Sequence, residues 1–340
     1  MPNENLNKDI VIKITDDPNE IMKHLQIGIS LPLLPELHKF IMHDIVNFKA
    51  KSLLIEEKGK VIGHSLIYDD KGDILYFGYF GVLNHDKTII IILLEEMIKY
   101  AEKYNFKIIR GPINIPSFIY GWGFMKEGSK DDLHLGKPVN PSIYQELFLN
   151  KGFYVKYEEN TWEGSPPLFN PYKLKGYNFS EYEFFTPKNW NELLGYKEDF
   201  LSIYSRVMPP SSTLTPNISD LYENIAEYTL KYGDFYMVNL VRYRPTGKII
   251  AVGSWLPSPF TKDKKGNYNS YVAYSVMIDA NHQRKGLLML MVGETCRKAW
   301  RNKFRYSSTL TGSDNKAVNM YTERMGVTHT RTHLILELII

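Results

Sequence analysis

The sequence predicts an α/β chain made of two domains with the same order of elements. Each half begins with a strand, two helices and a hairpin, and continues with a strand, a helix, a strand, a helix and a closing strand. Proline and glycine are concentrated between the halves, at residues 164–167 and 170–171, as in a linker. A chain of 340 residues is long enough for two domains with separate cores. We therefore expect domains over residues 1–163 and 181–340, joined by a linker over residues 164–180.

In the first half, alternation, helical periodicity and turn residues mark the elements. Residues 10–14 alternate as a strand, and Asp17 with Pro18 supplies the cap and first turn of a short helix. The other predicted elements are a helix over 34–48, strands over 53–56, 61–68 and 74–82, a helix over 88–104, a strand over 107–110, a helix over 142–150 and a strand over 154–161.

The second half is predicted from the same signals. A hairpin over residues 235–255 turns at Pro245-Thr246-Gly247. The other predicted elements are a strand over 182–185, helices over 189–207 and 219–232, a strand over 271–278, a helix after Gly286, a strand from Arg305, a helix ending at Gly326 and a final strand over 328–338.

The junction within residues 275–300 predicts an anion site. The apolar strand ends at Asp279, the loop reads Gln283-Arg284-Lys285-Gly286, and helical periodicity begins immediately afterwards. The first amides of a helix lack intrahelical partners, and the helix dipole makes them attractive to an anion. Gly286 allows the backbone to come close to a phosphate because glycine has no side chain. This combination indicates a cofactor that carries a nucleotide.

These residues resemble the Q/R-x-x-G-x-G/A signature of the GNAT superfamily, the acyl-CoA-dependent N-acyltransferases; Leu288 stands where that family has Gly or Ala. The resemblance implies two tandem GNAT-like domains, each with a mixed, mostly antiparallel sheet flanked by helices. It also implies that the second domain binds acetyl-CoA or another acyl-CoA as a co-substrate. The residues that it assigns to cofactor binding are Val276, Met277, Ile278, Gln283, Arg284, Lys285, Gly286, Leu287, Leu288 and Asn315.

A second segment resembles the later GNAT motif N-x-x-A-x-x-x-Y-x-x-x-G. Two registers are open. Anchoring on Asn315 and Gly326 puts Thr322 at the Tyr position, whereas anchoring on Ala317 puts Tyr321 there. In the family, that tyrosine protonates the leaving thiolate of coenzyme A, so the resemblance makes Tyr321 a candidate general acid. The register decides which way Tyr321 faces, because one residue along a helix is a rotation of about 100°.

The first half lacks the anion-binding loop. Residues 83–87 contain no glycine and add the carboxylate of Asp86, which would repel a pyrophosphate and is better placed as a helix N-cap. We therefore expect this half to be degenerate and to bind no cofactor. Residues 110–114 and 119–124 resemble an uncharacterised group of tandem GNAT-like proteins. The second segment forms either a loop over a substrate cleft or an ordinary packed loop.

The remaining chemistry-bearing residues give weaker signals. Glu323 and His282 are the candidates for a general base. The alternative for Glu323 is a solvated charge on a helix, and the alternative for His282 is a polar loop residue without a catalytic role. Cys296 lies in the middle of an amphipathic helix and is expected to be a buried small hydrophobe. His329 and His333 are four residues apart on a predicted strand, which is a coincidence of spacing, and we expect no metal site.

Composition narrows the class of protein. Hydrophobic residues make up 44% and charged residues 23%, and the net charge is +3, which argues against a large nucleic-acid or membrane surface. A single cysteine and a polar N-terminal segment suit a cytoplasmic protein. We expect an N-acyltransferase that acts on an amine of a small molecule or peptide, as a monomer or homodimer. The alternatives are a non-catalytic acyl-CoA sensor or scaffold and a Fem-like transferase that uses aminoacyl-tRNA.

Overall fold

A computed structural model describes residues 10–69, 72–128, 135–166, 171–207, 218–302 and 304–340, without the side chains of residues 171, 173, 218–221, 317 and 321. The chain divides into two compact units, each described by itself below. The first contains Met1–Glu158 and Arg331–Ile340, and the second contains Glu159–Thr330. None of the described helices is long and apolar enough to cross a membrane.

The first unit follows the predicted order of elements, with two additions, α4 and β6. Its helices and strands are β1 (Ile10–Thr15), α1 (Pro18–His24), α2 (His38–Asn47), β2 (Lys51–Glu57), β3 (Lys60–Tyr68), β4 (Ile74–Val82), α3 (Lys87–Lys103), β5 (Ile108–Gly111), α4 (Ser117–Tyr120), β6 (Phe124–Gly128), α5 (Ser142–Asn150) and the start of β7 (Tyr154–Gly164). Asp17 and Asp86 cap α1 and α3 through their side chains, which confirms both predicted caps.

The sheet of the first unit has the order β1-β2-β3-β4-β5 and takes its next strand from the end of the chain. β4 and β5 are parallel, and the other pairs are antiparallel. Leu336–Ile339 pair with β5, so residues 331–340 belong to this unit, whereas the predicted second domain ran to residue 340. The core lies between this sheet and α3, whose buried face includes Ile90, Leu93 and Met97.

The second unit begins within β7, and the α-helices and strands of its described residues follow in order. These are β8 (Tyr182–Phe185), α6 (Trp190–Gly195), α7 (Lys197–Val207), α8 (Ile218–Tyr232), β9 (Val238–Tyr243), β10 (Lys248–Pro257), β11 (Ser270–Ile278), α9 (Leu287–Arg301), β12 (Tyr306–Gly312), α10 (Lys316–Arg324) and β13 (Thr328–Ile339), of which residues 328–330 lie in this unit. The sheet order is β7-β12-β11-β10-β9-β8, with β11 and β12 parallel and the other pairs antiparallel.

The two faces of the second sheet carry separate apolar clusters. On one face, Ala251 packs in a cluster with Leu287 and Met291 of α9. On the other face, Val252 and Met277 pack in a cluster with Phe200, Ile203 and Tyr204 of α7. Neighbouring residues of one strand thus enter opposite clusters, as the alternation of a strand requires.

The structure confirms the predicted fold class: a mixed, mostly antiparallel sheet flanked by helices in each half. Two local predictions were wrong. The helix predicted over residues 189–207 is two helices, α6 and α7, and the break follows Gly195, a residue that disfavours a helix interior. Residues 117–128, which gave no element in the sequence, form α4 and β6.

Candidate functional site

The central strand of the second unit separates from its parallel neighbour halfway along its length. The ladder between β11 and β12 runs from the Ser270–Tyr306 pair to the Ala273–Thr309 pair and ends there. β11 nevertheless continues to Ile278, and β12 continues to Gly312. The edge of β11 that faces β12 therefore has residues 275–278 outside this ladder, where their backbone groups are suited to bonding with another partner.

A β-bulge lies at the point where the ladder ends. On the β10 side, Ser275 of β11 is opposite Ser254, and Ala273 is opposite Trp255, so Tyr274 is an inserted residue. A bulge bends the strand and changes the direction of its neighbouring groups, and bulges are frequent beside active sites. The bulge and the end of the ladder both fall at the middle of β11, where the strand edge is suited to pairing with an extended ligand that carries amide groups.

The N-terminus of α9 follows the loop after β11 and has no side-chain cap. Gly286 is the N-cap, in the left-handed conformation with φ 79°, and it has no side chain to cap the helix. The first backbone bond of the helix runs from Leu290 N to Gly286 O, at 3.1 Å. The helix itself thus supplies no acceptor for three successive amides, those of Leu287, Leu288 and Met289. Leu287 is buried in the core, and Leu288 is half-buried in the first turn.

The loop before α9 is held to the strand and carries exposed positive charge. Gln283 Nε2 donates to the carbonyl of Ile278 at 3.2 Å, which ties the loop to the end of β11. Arg284 and Lys285 are exposed, and Arg284 adopts a positive φ of 62°. Two cations beside the first amides of a helix form an anion-attracting surface.

His282 supports this loop through aromatic contacts. The Tyr182 hydroxyl lies 3.0 Å from His282 Nδ1, and the ring of Tyr243 lies 4.7 Å from the imidazole. Burial, together with the nearby charge of Lys285, lowers the pKa of His282 below its usual value. The imidazole is therefore neutral at pH 7, and its contacts indicate that it supports the loop.

The ring of Tyr177 lies against Gly286. A Cβ placed on Gly286 would stand only 2.8 Å from Cγ of Tyr177, so glycine is required here for space as well as for its conformation. Tyr177 is 41% exposed and stacks with Phe179 at a ring separation of 6.2 Å. Sequence reasoning missed Tyr177, because nothing in a turn of mixed polarity shows that its ring reaches a helix terminus about one hundred residues later.

The downstream motif occupies the start and the middle of α10. Asn315 is exposed, and its side-chain oxygen accepts from Val318 N at 3.2 Å, as an N-cap does. Tyr321 belongs to α10, but its side chain lies outside the described part of the structure. Thr322, the residue of the competing register, is buried and donates its hydroxyl to Val318 O at 2.8 Å. Thr322 is therefore unsuited to donating a proton to a leaving group.

Asn319 is a positioning residue of this motif that the sequence did not indicate. Its side-chain amide donates to the carbonyl of Gly312 at 3.0 Å, and its oxygen accepts from Trp162 Nε1 at 3.3 Å. These bonds join α10 to the ends of β12 and β7. The only signal in the sequence is a polar residue inside a short helix, which is too common to single out.

The other candidate residues have ordinary structural roles. Glu323 is exposed on α10. Cys296 is buried, as predicted, and burial raises the pKa of its thiol to about 11, so it is not a nucleophile at neutral pH. His329 packs against Trp162, and His333 Nε2 lies 3.0 Å from the carbonyl of Pro138. Within the described residues, no group of three His, Cys, Asp or Glu side chains is placed to hold a metal ion.

In the first unit, β4 and α3 correspond to β11 and α9, but other residues of the same unit bond to their backbone groups. The β4–β5 ladder ends at Tyr76, and beyond it Phe77 O accepts from Ile113 N at 2.7 Å. Tyr79 N in turn donates to the side chain of Asn114 at 2.6 Å.

The amides at the start of α3 are also used. The Asp86 carboxylate accepts from Thr88 N and Ile89 N, at 2.8 and 3.2 Å. Asn114 also donates to Tyr120 O at 3.0 Å, and Tyr120 is fully buried, so the segment at 119–124, which joins α4 to β6, is packed within this unit. That the first unit binds no cofactor stays a prediction.

The fold and the opened strand define the class of structure to which the chain is similar: it has the tandem GNAT fold. A tandem GNAT protein from the clavulanic acid biosynthesis pathway superposes with a TM-score of 0.63 at 11% identity, over 97% of this chain and 98% of that one. A GCN5-related N-acetyltransferase from Sphaerobacter thermophilus gives 0.59 at 9% identity, over 97% and 95%. Another from Anabaena variabilis gives 0.55 at 10% identity, over 97% and 73%. No protein-family model and no curated protein matches the sequence.

Proposed function

We propose that the second unit binds an acyl-CoA and transfers its acyl group to an amine. The observation that carries this proposal is the bulged strand β11, which leaves β12 and leads directly into a glycine-capped helix terminus. This arrangement supplies a polar strand edge and an anion site one after the other, in the order that the pantetheine arm and the pyrophosphate of coenzyme A require. The similarity to structures of GNAT acetyltransferases supports the same reaction class.

The residues present fit that co-substrate. Gly286 has no side chain that could cap the helix, and the amides of residues 287–289 have no acceptor within the helix. In the proposal, these amides bind the pyrophosphate, Arg284 and Lys285 add positive charge, and the edge of β11 over residues 275–278, beyond the ladder with β12, holds the pantetheine arm. Asn315, exposed at the start of α10, is proposed to contact the cofactor as well.

The chemistry asks little of the protein beyond binding and orientation. A bound acyl-CoA would supply the thioester whose carbonyl carbon a neutral amine attacks, with a C–N bond formed and the C–S bond broken. The backbone of the opened strand is suited to donating a hydrogen bond to that carbonyl oxygen. Tyr321 is the proposed proton donor to the departing thiolate, as the family resemblance implies. The amine loses its proton to water, since β11 carries no carboxylate before Asp279.

Isothermal titration with CoA and with acetyl-CoA tests the proposal. In Gly286→Asp a carboxylate stands against the pyrophosphate site, and we expect the affinity to fall roughly a hundredfold, about 2.7 kcal/mol. Gly266→Asp is the matched control, because Gly266 has nearly the same φ, 81° against 79°, and nothing within 4 Å of an added Cβ. Equal binding by wild type and Gly286→Asp, or no binding by wild type, would refute the assignment.

A non-catalytic acyl-CoA-binding protein is the second candidate. It is favoured by Tyr177, which covers Gly286, and by the absence of a carboxylate on β11. Release of free thiol from acetyl-CoA over a broad panel of amines distinguishes the two, because a sensor or scaffold binds without release. A Fem-like transferase is a third and weaker proposal, and lack of tRNA binding at low salt would remove it.

A further inference from the structure

An apolar pocket lies on the face of the second unit opposite α9. It lies between α6, α7 and α8 on one side and β9 and β10 on the other, and it is partly open to solvent. Aromatic rings and aliphatic side chains make most of its wall, while Thr229 and Ser254 contribute hydroxyl groups. The wall residues used below are Tyr196, Phe200, Tyr222 and Ala226.

Ser254, one of the residues that line the pocket, lies beside Ser275 of the neighbouring strand. The two serines are cross-strand partners in the β10–β11 ladder. Ser275 lies two residues from Met277, which packs on the α7 face, so the Ser275 side chain points to that face as well. Ser275 Oγ is buried, and no described group pairs with it. Because a buried hydroxyl group without a partner is costly, this atom points to a polar group supplied by a ligand.

Ser275 also lies in the opened part of β11. The ladder with β12 ends at Ala273, and the bulge at Tyr274 follows immediately. A group bound at Ser275 from the α7 face would therefore reach the strand edge that is proposed to hold the thioester. The proposed pyrophosphate site belongs to α9, on the other face of the sheet. The two ligands would thus approach the middle of β11 from opposite faces.

We infer that the pocket selects the acceptor, which is a primary amine carrying an apolar aryl or branched alkyl group. The apolar group fills the space between Phe200, Tyr222 and Ala226, and the nitrogen lies at Ser275. This inference rests on the proposed acyl transfer for its chemistry, while the binding of the apolar amine can be measured without it. The pocket offers no described carboxylate on its wall that would favour a diamine or a polyamine.

The first experiment measures acetyl transfer to phenethylamine and to ethanolamine. For the wild type we expect kcat/KM to be at least tenfold higher with phenethylamine. Ala226→Leu fills the pocket and is expected to lower kcat/KM for phenethylamine at least tenfold while leaving ethanolamine within twofold. Glu223→Leu is the matched control, since it adds the same residue on the exposed side of α8. Preference for ethanolamine, or an equal loss with both amines in Ala226→Leu, overturns the inference.

Two further experiments distinguish failure of the pocket assignment from failure of the acyl-transfer proposal. Titration of phenethylamine without any cofactor should show binding that Ala226→Leu weakens and Glu223→Leu does not. If this holds while acyl-CoA fails to bind, the pocket assignment stands and the acyl-transfer proposal falls; no binding and no turnover overturns both.

If Ala226→Leu instead selectively impairs turnover of hexanoyl-CoA with ethanolamine as acceptor, the pocket holds the acyl chain and the inference is wrong. Should Ala226→Leu not fold, Val252→Ala enlarges the pocket and must shift the preference towards 3-phenylpropylamine.

Discussion

Acid should destabilise the first unit through one buried histidine. His64 on β3 is fully buried, with Nε2 2.9 Å from Ser52 Oγ and Nδ1 2.9 Å from the carbonyl of Tyr79. This network suits the neutral ring: Nδ1–H donates to the carbonyl, and Nε2 accepts from the serine. Burial lowers the pKa of His64 from 6.5 to about 4, and the bond to Tyr79 O opposes that change only partly.

The sign and size of the effect follow from proton linkage. Below pH 6.5 the unfolded chain binds a proton at His64, whereas the folded chain does not until about pH 4, so stability is lost as the pH falls between those values. At 1.36 kcal/mol for each pKa unit, the full loss is about 3 kcal/mol, of which about 2 kcal/mol is already lost at pH 5. That is a large part of the stability of an ordinary domain, about 5–15 kcal/mol.

Urea unfolding at pH 7 and pH 5 checks this, with His64→Gln as the perturbation. Glutamine keeps a donor for Tyr79 O and an acceptor for Ser52 but cannot titrate, so the variant should lose about 2 kcal/mol less than wild type between the two pH values. His38→Gln is the control, because it removes an exposed histidine. Amide exchange in β3 and β4 assigns the change to the first unit. The same pH dependence in wild type and His64→Gln would refute the reasoning.

Three other perturbations give independent predictions. Tyr177→Ala should raise the affinity for CoA roughly fivefold, about 1 kcal/mol, because the ring no longer covers Gly286; weaker binding would mean that the ring contacts the ligand instead. Asp86→Ala removes the cap of α3 and should cost about 1 kcal/mol in urea unfolding, and an unchanged midpoint would contradict the capping role. Glu337→Gln leaves the buried Arg110 without its carboxylate, 2.7 Å away, and should cost about 3–5 kcal/mol; a loss below about 1 kcal/mol would show that the pair is solvated.

The elements that were predicted most accurately are those determined by residues close together in the sequence. The bounds of β4, α5 and β8 agree with the prediction at both ends, because each element combines an apolar pattern with clear flanking residues. The N-caps at Asp17 and Asp86 were predictable for the same reason, since a cap depends on residues two or three positions away. By contrast, the return of residues 331–340 to the first unit depends on pairing with β5, more than two hundred residues earlier, and no local pattern encodes it.

In the candidate site too, the features that depend on neighbouring residues were predicted, and those that depend on distant residues were missed. The strand, the loop and the helix at residues 270–301 were predicted from consecutive residues, and so was the buried state of Cys296. Tyr177 and Asn319 were missed because their partners lie on other elements. The bulge at Tyr274 was missed as well, since it is defined only by the register of β11 against β10. The functional roles of the predicted site residues, Tyr321 above all, stay predictions.

The difference between the two halves gives the strongest argument for where the chemistry occurs. Both units separate a central strand from its parallel neighbour and place a helix after it, so the fold alone creates two candidate sites. In the first unit, Asn114 occupies the strand edge, and Asp86 occupies the helix amides. The amides of Tyr79, Thr88 and Ile89 already have internal partners, and a ligand would have to displace these partners at a cost in free energy. In the second unit, Gly286 has no side chain to cap α9, so a ligand there has no N-cap bond to displace. Because the first unit pairs these backbone groups internally, we expect the ligand to bind at the second unit.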